Sequence, residues 1–159
     1  MEKWQQHYHA MKRWKVRALS VAIGKVEKAE NGWIIEGTEA DDFAKAYFVW
    51  AHSMRDWFIK TGTVERTRLD QLLGNFGQWK NVRDLANKSK HAVITSASID
   101  PNWNSGVKID LNAMLRGEMG VEPYVSIGGR YMKLVDAILE TDSMWDEIVQ
   151  ELELDVSVQ

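Results

Sequence analysis

Five apolar residues in strict four-three alternation set the first constraint on this chain. Phe43, Tyr47, Trp50, Met54 and Trp57 step by four, three, four and three, the spacing that keeps successive side chains on one face of an α-helix. A helix carrying such large rings along one side gains its stability by burying them against other helices. Two more stripes answer that need. Trp4, His7, Tyr8, Met11, Trp14 and Ala18 share a face in a segment from about Glu2 to Lys28. Leu134, Ile138, Trp145, Ile148 and Leu152 share another near the C-terminus, where "TDS" (Thr141–Ser143) reads as a break that splits the segment into two helices. Most of the eight tryptophans fall at helical core spacing, so packing rather than base stacking is their expected use.

Punctuation residues divide the rest. Thr38, followed three residues later by Asp41, reads as the N-cap of the central helix, and Gly62 reads as its stop. A smaller helix from about Val64 to Leu73 ends at "GNFG". Another starts near Gln78, with Trp79, Val82, Ala86 and Val93 on one side. "Asn31-Gly32" marks a stop or turn, and the "WII" after it a strand or an extended link. The texture changes after His91. "AVITSASID" is rich in β-branched and small residues, "DPNWNSG" is a turn or loop, and "VKIDL" alternates as a half-buried strand does. "EPYVSI" offers a further strand, and "GG" then precedes the last amphipathic stretch. The pattern predicts an α+β fold: a mostly helical bundle of about five helices, with a small antiparallel sheet inserted before the C-terminal helix. We read one domain over 1–159, with a helical core about 1–92, a β insertion about 92–128 and a C-terminal helical segment about 130–155.

A chain of 159 residues is long enough for its own core. No apolar run approaches the roughly 18 residues of a membrane span, and "MEKWQQHYHA" lacks the apolar core of a secretion signal. The absence of cysteine excludes disulfides and thiolate metal sites and fits a cytoplasmic location. The net charge of −3 hides an asymmetry. Residues 1–28 carry seven Lys/Arg against two Glu, and residues 131–159 one Lys against eight Asp/Glu. The two ends either complement each other, within the fold or a dimer, or serve as a phosphate-tracking helix and an acidic helix for a basic partner.

The densest chemistry lies in "VRDLANKSKH". At about 100° per residue, Asp84, Asn87 and His91 fall within an arc of roughly 60°, with Lys80 one turn earlier. Trp79, Val82 and Ala86 point elsewhere, so the polar residues form a continuous edge. The central helix carries a matching pair in "HSMRDW". His52 and Asp56 are four apart on one face, flanked by Phe48, Val49 and Ile59, so partial desolvation is expected. Three readings follow. The set is a structural network that fixes helix register. Alternatively, His52, Asp56, Asp84 and His91 hold a metal on facing helices. In the third, the edge performs acid–base chemistry on a phosphodiester or nucleotide, with His91 titrating near neutrality and Arg83, Lys88 or Lys90 on phosphate.

The pairing of "HSMRDW" with "RDLANKSKH" resembles uncharacterised phage and bacterial proteins that combine an H-x-x-x-D-W helix with a D-x-x-N-x-x-K-H helix. The matching positions are His52, Asp56, Trp57, Asp84, Asn87, Lys90 and His91, within about Asp41 to Thr95. More distantly, the segment is similar to HEPN-type helical domains of RNase toxins and phage-defence systems. That resemblance implies a dimer in which an Arg-polar-x-x-x-His motif from each subunit forms a metal-independent RNA-cleaving cleft. It would make His91 the catalytic histidine and Arg83 the arginine, although the gap between them is wider than the family's own. Asn87 stands four before His91, so "NKSKH" keeps part of the pattern.

The expectation is therefore a HEPN-like protein that engages RNA or a nucleotide at this edge, as a metal-independent ribonuclease in phage–host conflict. His91, Arg83, Asp84 and Asn87 are its catalytic candidates, and Lys90, Lys88, His52 and Asp56 its binding candidates. No cofactor is called for. One alternative is a non-catalytic, phage-encoded anti-defence protein that binds a host protein or signalling nucleotide through its acidic C-terminal helix, at Asp146, Glu147 and Glu151. The other is the bundle metal protein. No phosphate loop or serine elbow occurs, and "SIGGR" reads as a turn rather than an anion nest.

Overall fold

The N-terminal stripe folds as α1 (Lys3–Val21), opened by a reciprocal cap in which the Glu2 carboxylate and the Gln5 carboxamide each accept the other residue's backbone N–H. Trp4, His7, Tyr8, Met11 and Ala18 are buried along it. The computed structural model describes residues 2–22, 25–30, 32–36, 38–90, 104–116 and 120–157. "AVITSASID" and Val93 lie outside them. The first helix ends earlier than its expected reach to Lys28, because Lys25–Ala29 forms strand β1 instead. That strand pairs antiparallel with β2 (Gly32–Glu36), from Lys25 opposite Glu36 to Ala29 opposite Gly32. Pairing of these two short β-forming runs replaces one more helical turn.

The central stripe becomes α2 (Thr38–Lys60), so Thr38 opens the helix rather than preceding it. Its end follows from geometry. Gly62 has φ +71°, its N–H reaches the Ile59 carbonyl at 3.1 Å, and the Thr63 N–H reaches the Phe58 carbonyl at 3.0 Å. These paired bonds satisfy carbonyls that the helix would otherwise leave orphaned. Next come α3 (Arg66–Gly74), capped by the Glu65 carboxylate on the N–H groups of Thr67 and Arg68, and α4 (Gly77–Lys90).

The inserted sheet is antiparallel, in order β3 (Asn104–Ile109), β4 (Val121–Ile127) and β5 (Arg130–Lys133), with a one-turn helix α5 (Leu111–Leu115) between the first two strands. "SIGGR" is a turn. Gly128 and Gly129 both have positive φ, 57° and 72°, and Ile127 pairs with Arg130 across them. Two such residues in succession reverse the chain. The glycines therefore lead into a strand, not directly into a helix as the sequence suggested. The last helix, α6 (Leu134–Glu151), runs unbroken through "TDS". The Thr141 hydroxyl folds back onto the Ala137 carbonyl at 2.7 Å, and Asp142 is neutralised by lysines of α1. Polar residues satisfied in this way need not interrupt a helix. With α5 and a single α6, the described residues contain six helices rather than about five.

A chain of rings ties the bundle together. Trp4 of α1 lies 5.2 Å from Phe58 of α2, Phe58 lies 6.0 Å from Trp145 of α6, and Trp145 meets Trp79 of α4 edge-on at 5.9 Å. His52 of α2 stacks on the other partner of that pair, 5.2 Å from Trp79 and nearly parallel to it. Trp145 is fully buried at the centre, and Val125 and Ile127 of the sheet join the same core.

The stop of α2 makes a direct prediction. A Cβ at Gly62 meets nothing within 4 Å, so Gly62→Ala tests backbone conformation alone. It should cost about 1–2 kcal/mol by denaturant melts. Gly74→Ala is also unobstructed but lacks a left-handed φ, and it should be neutral or slightly stabilising.

Candidate functional site

The polar edge of α4 is partly a buried feature. Asp84 is 0% exposed, between the buried Val82 and the buried Leu85 and Ala86. Its carboxylate lies 3.5 Å from the Arg83 guanidinium Nε, and the Arg83 side chain is one-third exposed. That Nε is itself buried and makes no hydrogen bond among the described residues. Asn87 is half-buried on the next turn, and Lys80 is exposed one turn earlier. The edge thus grades from a buried carboxylate to an accessible guanidinium and carboxamide within one helical turn. His91 lies outside the described residues, and for Lys88 and Lys90 only the helical backbone is described.

The α2 pair behaves differently from expectation. His52 is half-buried, with its ring flat on Trp79 at the start of α4. Asp56 is not desolvated among apolar neighbours. Its side chain is 58% exposed and 3.5 Å from Arg55. Arg55 grips Asp70 of α3 with two parallel bonds of 2.6 and 2.8 Å, which raises the arginine's pKa and lowers the aspartate's. Trp57, the last member of the α2 stripe, is 37% exposed rather than core. The stripe outruns the core at that end. Among the described residues, no three His, Asp or Glu side chains converge to hold a metal, so His52, Asp56 and Asp84 form no such group. His91, the fourth residue that reading needs, lies outside the described residues.

Two polar constellations were not singled out in the sequence. In the first, Asp142 of α6 is paired by both Lys12 and Lys15 of α1, Lys12 also reaches Asp146 at 2.5 Å, and the Tyr8 hydroxyl donates to the same Asp146 oxygen. Burial, and then the Asp146 hydrogen bond, pushes the Tyr8 pKa far up and keeps its proton. Tyr47 of α2 adds a buried hydroxyl, donated to the Ile138 carbonyl at 3.3 Å. The charge asymmetry between the chain's ends was the legible signal, and the choice of partners was not. In the second, His7 sits between two indoles, with ring centres 4.5 Å from Trp50 and 5.1 Å from Trp57. Its Nε2 lies 3.1 Å from the Trp50 carbonyl. Burial lowers its pKa, and the backbone hydrogen bond offsets this only in part.

Two outcomes are expected. Asp142→Ala leaves two part-buried ammonium groups facing one another, and should cost about 3 kcal/mol in chemical denaturation. Its effect should also exceed that of Asp41→Ala, whose Lys45 partner is on the surface of the same helix. For His7, the unfolded chain takes a proton near the ordinary histidine value of about 6.5, and the folded chain resists until its lowered pKa is reached. Its contribution is therefore complete above about pH 6.5 and is lost as pH falls through the folded pKa. Melting temperatures measured across that window should fall less steeply with acidification in His7→Phe than in the parent.

Comparison with protein-family models, with curated proteins and with solved structures returned no match.

Proposed function

We propose that the chain engages the phosphate of an RNA or nucleotide along the C-terminal half of α4. One observation carries the reading. Arg83 is held beside a fully buried carboxylate, its buried Nε makes no hydrogen bond among the described residues, and its side chain remains one-third exposed. A guanidinium tethered by Coulomb attraction and partly open to solvent is placed to meet an anionic oxygen. Asn87 on the next turn adds a carboxamide within reach of the same edge. In this reading Asp84 touches no ligand and is a positioning residue. Arg83 and Asn87 supply the contacts, Lys88 and Lys90 extend them, and His91 acts as general acid or base in metal-independent cleavage. His52 and Asp56 contribute less directly, His52 by fixing α2 against Trp79.

A second reading is favoured by α6. Asp136, Glu140, Glu147 and Glu151 are exposed on it, while Lys12 and Lys15 neutralise its inner side. The outer face is an exposed acidic stripe suited to a basic protein surface, as a non-catalytic anti-defence protein would need.

The discriminating experiment is a cleavage and retention assay on purified protein with labelled RNA, with and without EDTA. Cleavage insensitive to EDTA is expected, abolished in His91→Ala and reduced about tenfold or more in Arg83→Ala. If the parent protein neither cleaves RNA nor retains a nucleotide, the α4 reading fails and the α6 reading takes its place.

A further inference from the structure

The three-stranded sheet buries Val121, Pro123, Val125 and Ile127 on its inner face. Its outer face is unusual for a small sheet. Glu122, Tyr124 and Ser126 alternate outward on β4. Cross-strand register places Tyr131 and Lys133 of β5, and Gly106 and Lys108 of β3, on the same side.

The rings of Tyr124 and Tyr131 are 4.8 Å apart and tilted by 32°. Tyr124 lies against the backbone of β3 at Gly106, where an added Cβ would come within 2.9 Å of the phenol oxygen. The glycine is what lets this ring lie flat against the sheet. Tyr131 is 49% exposed, and Lys108 Nζ stands 5.9 Å from its ring centre. Glu122 accepts the Tyr131 hydroxyl at 2.9 Å and the Lys133 ammonium at 2.6 Å, so the Glu122 and Lys133 charges offset each other. At the Lys108 end of the sheet is a cavity of about 440 Å³ lined by Lys108, Glu122 and Lys133, which neither tyrosine lines. Asp110 and Asp136 also line it, but the Asp110 carboxylate is occupied by the N–H groups of Asn112 and Ala113 at 3.0 and 3.1 Å. The Asp136 charge acts on Lys133.

An exposed ring backed by a half-buried one, with an ammonium group beside it, is an arrangement with which sheet surfaces stack unpaired bases and hold the connecting phosphates. A cross-strand tyrosine pair kept only for stability needs no flanking lysine. We infer that the outer face of this sheet binds single-stranded RNA, with Tyr124 and Tyr131 as the stacking platform and Lys108 on phosphate. Duplex is excluded, because its bases offer no free face to the rings. The inference shares its ligand class with the α4 reading but rests on different residues.

The test is fluorescence anisotropy of a labelled oligouridylate of about ten nucleotides, free and annealed to its complement, titrated with the full chain. The parent should prefer the single strand. Tyr131→Ala and Lys108→Glu should each weaken binding about tenfold, while Tyr131→Trp retains it. Both sites are exposed, and circular dichroism verifies the fold of each variant. Absence of binding, equal binding of the duplex, or unchanged affinity in both weakening variants overturns the inference. Arg83→Ala in the same titration separates the two surfaces. If it alone weakens binding, the sheet inference fails and the α4 reading stands. If only the sheet variants do so, the outcome is the reverse.

Discussion

A carboxylate held between two lysine ammonium groups determines how the first and last helices meet. The Asp142 side chain is 6% exposed, and both Lys12 and Lys15 approach it from α1. An unpaired charge at that depth would cost several kcal/mol. The pairing therefore specifies one rotation of α6 relative to α1, whereas apolar packing tolerates several. Asp146 and Tyr8 lock the same register one turn further on. With α6 fixed, Trp145 points to the centre, where it meets Phe58 of α2 and Trp79 of α4. The position of α4, and so of the Arg83 edge, is thus set through Trp79 by an ion cluster on the far side of α6.

The same cluster redistributes the molecule's electrostatics. The N-terminal segment has a surplus of cations, but Lys12 and Lys15 are consumed internally, and Arg17 packs over the Trp14 ring at 5.0 Å. A basic helix that tracks phosphates is a poorer description of α1 than a helix that neutralises its neighbour. The α6 carboxylates on the outer side remain in solvent.

Much of the architecture was legible in the sequence, for identifiable reasons. The α2 and α1 stripes are long and strictly periodic, and such periodicity has few other solutions. Gly62 was legible as a stop because left-handed backbone favours glycine. The errors fall where local signals compete. Val21 to Ala29 continues a helical pattern, but pairing of Lys25–Ala29 with Gly32–Glu36 ends the helix early. "TDS" resembles a breaker only until Lys12 and Lys15 are placed opposite Asp142. At the site, helical rotation brought Asp84 and Asn87 to one edge as expected, but rotation carries no depth. Burial of Asp84 and exposure of Asp56 depend on which helices pack against α4 and α2, which is a property of tertiary structure alone. Tyr124 and Tyr131 were invisible as a pair because strand register, set by the Gly128-Gly129 turn, is what brings them together.

Depth also decides which chemistry each polar residue can perform. A carboxylate as buried as Asp84 cannot exchange its neighbours for water or ligand at low cost, so its effect on any reaction runs through the group it orients. Arg83 is next to it and only partly enclosed. Such a division, a buried charge beside a partly exposed one, holds the guanidinium by Coulomb attraction. The sheet face follows the same logic with Glu122, which spends its charge on Tyr131 and Lys133. It thereby holds a ring and an ammonium group at fixed separation on an open surface. In both places an acid holds a neighbouring cation, Asp84 beside Arg83 and Glu122 on Lys133.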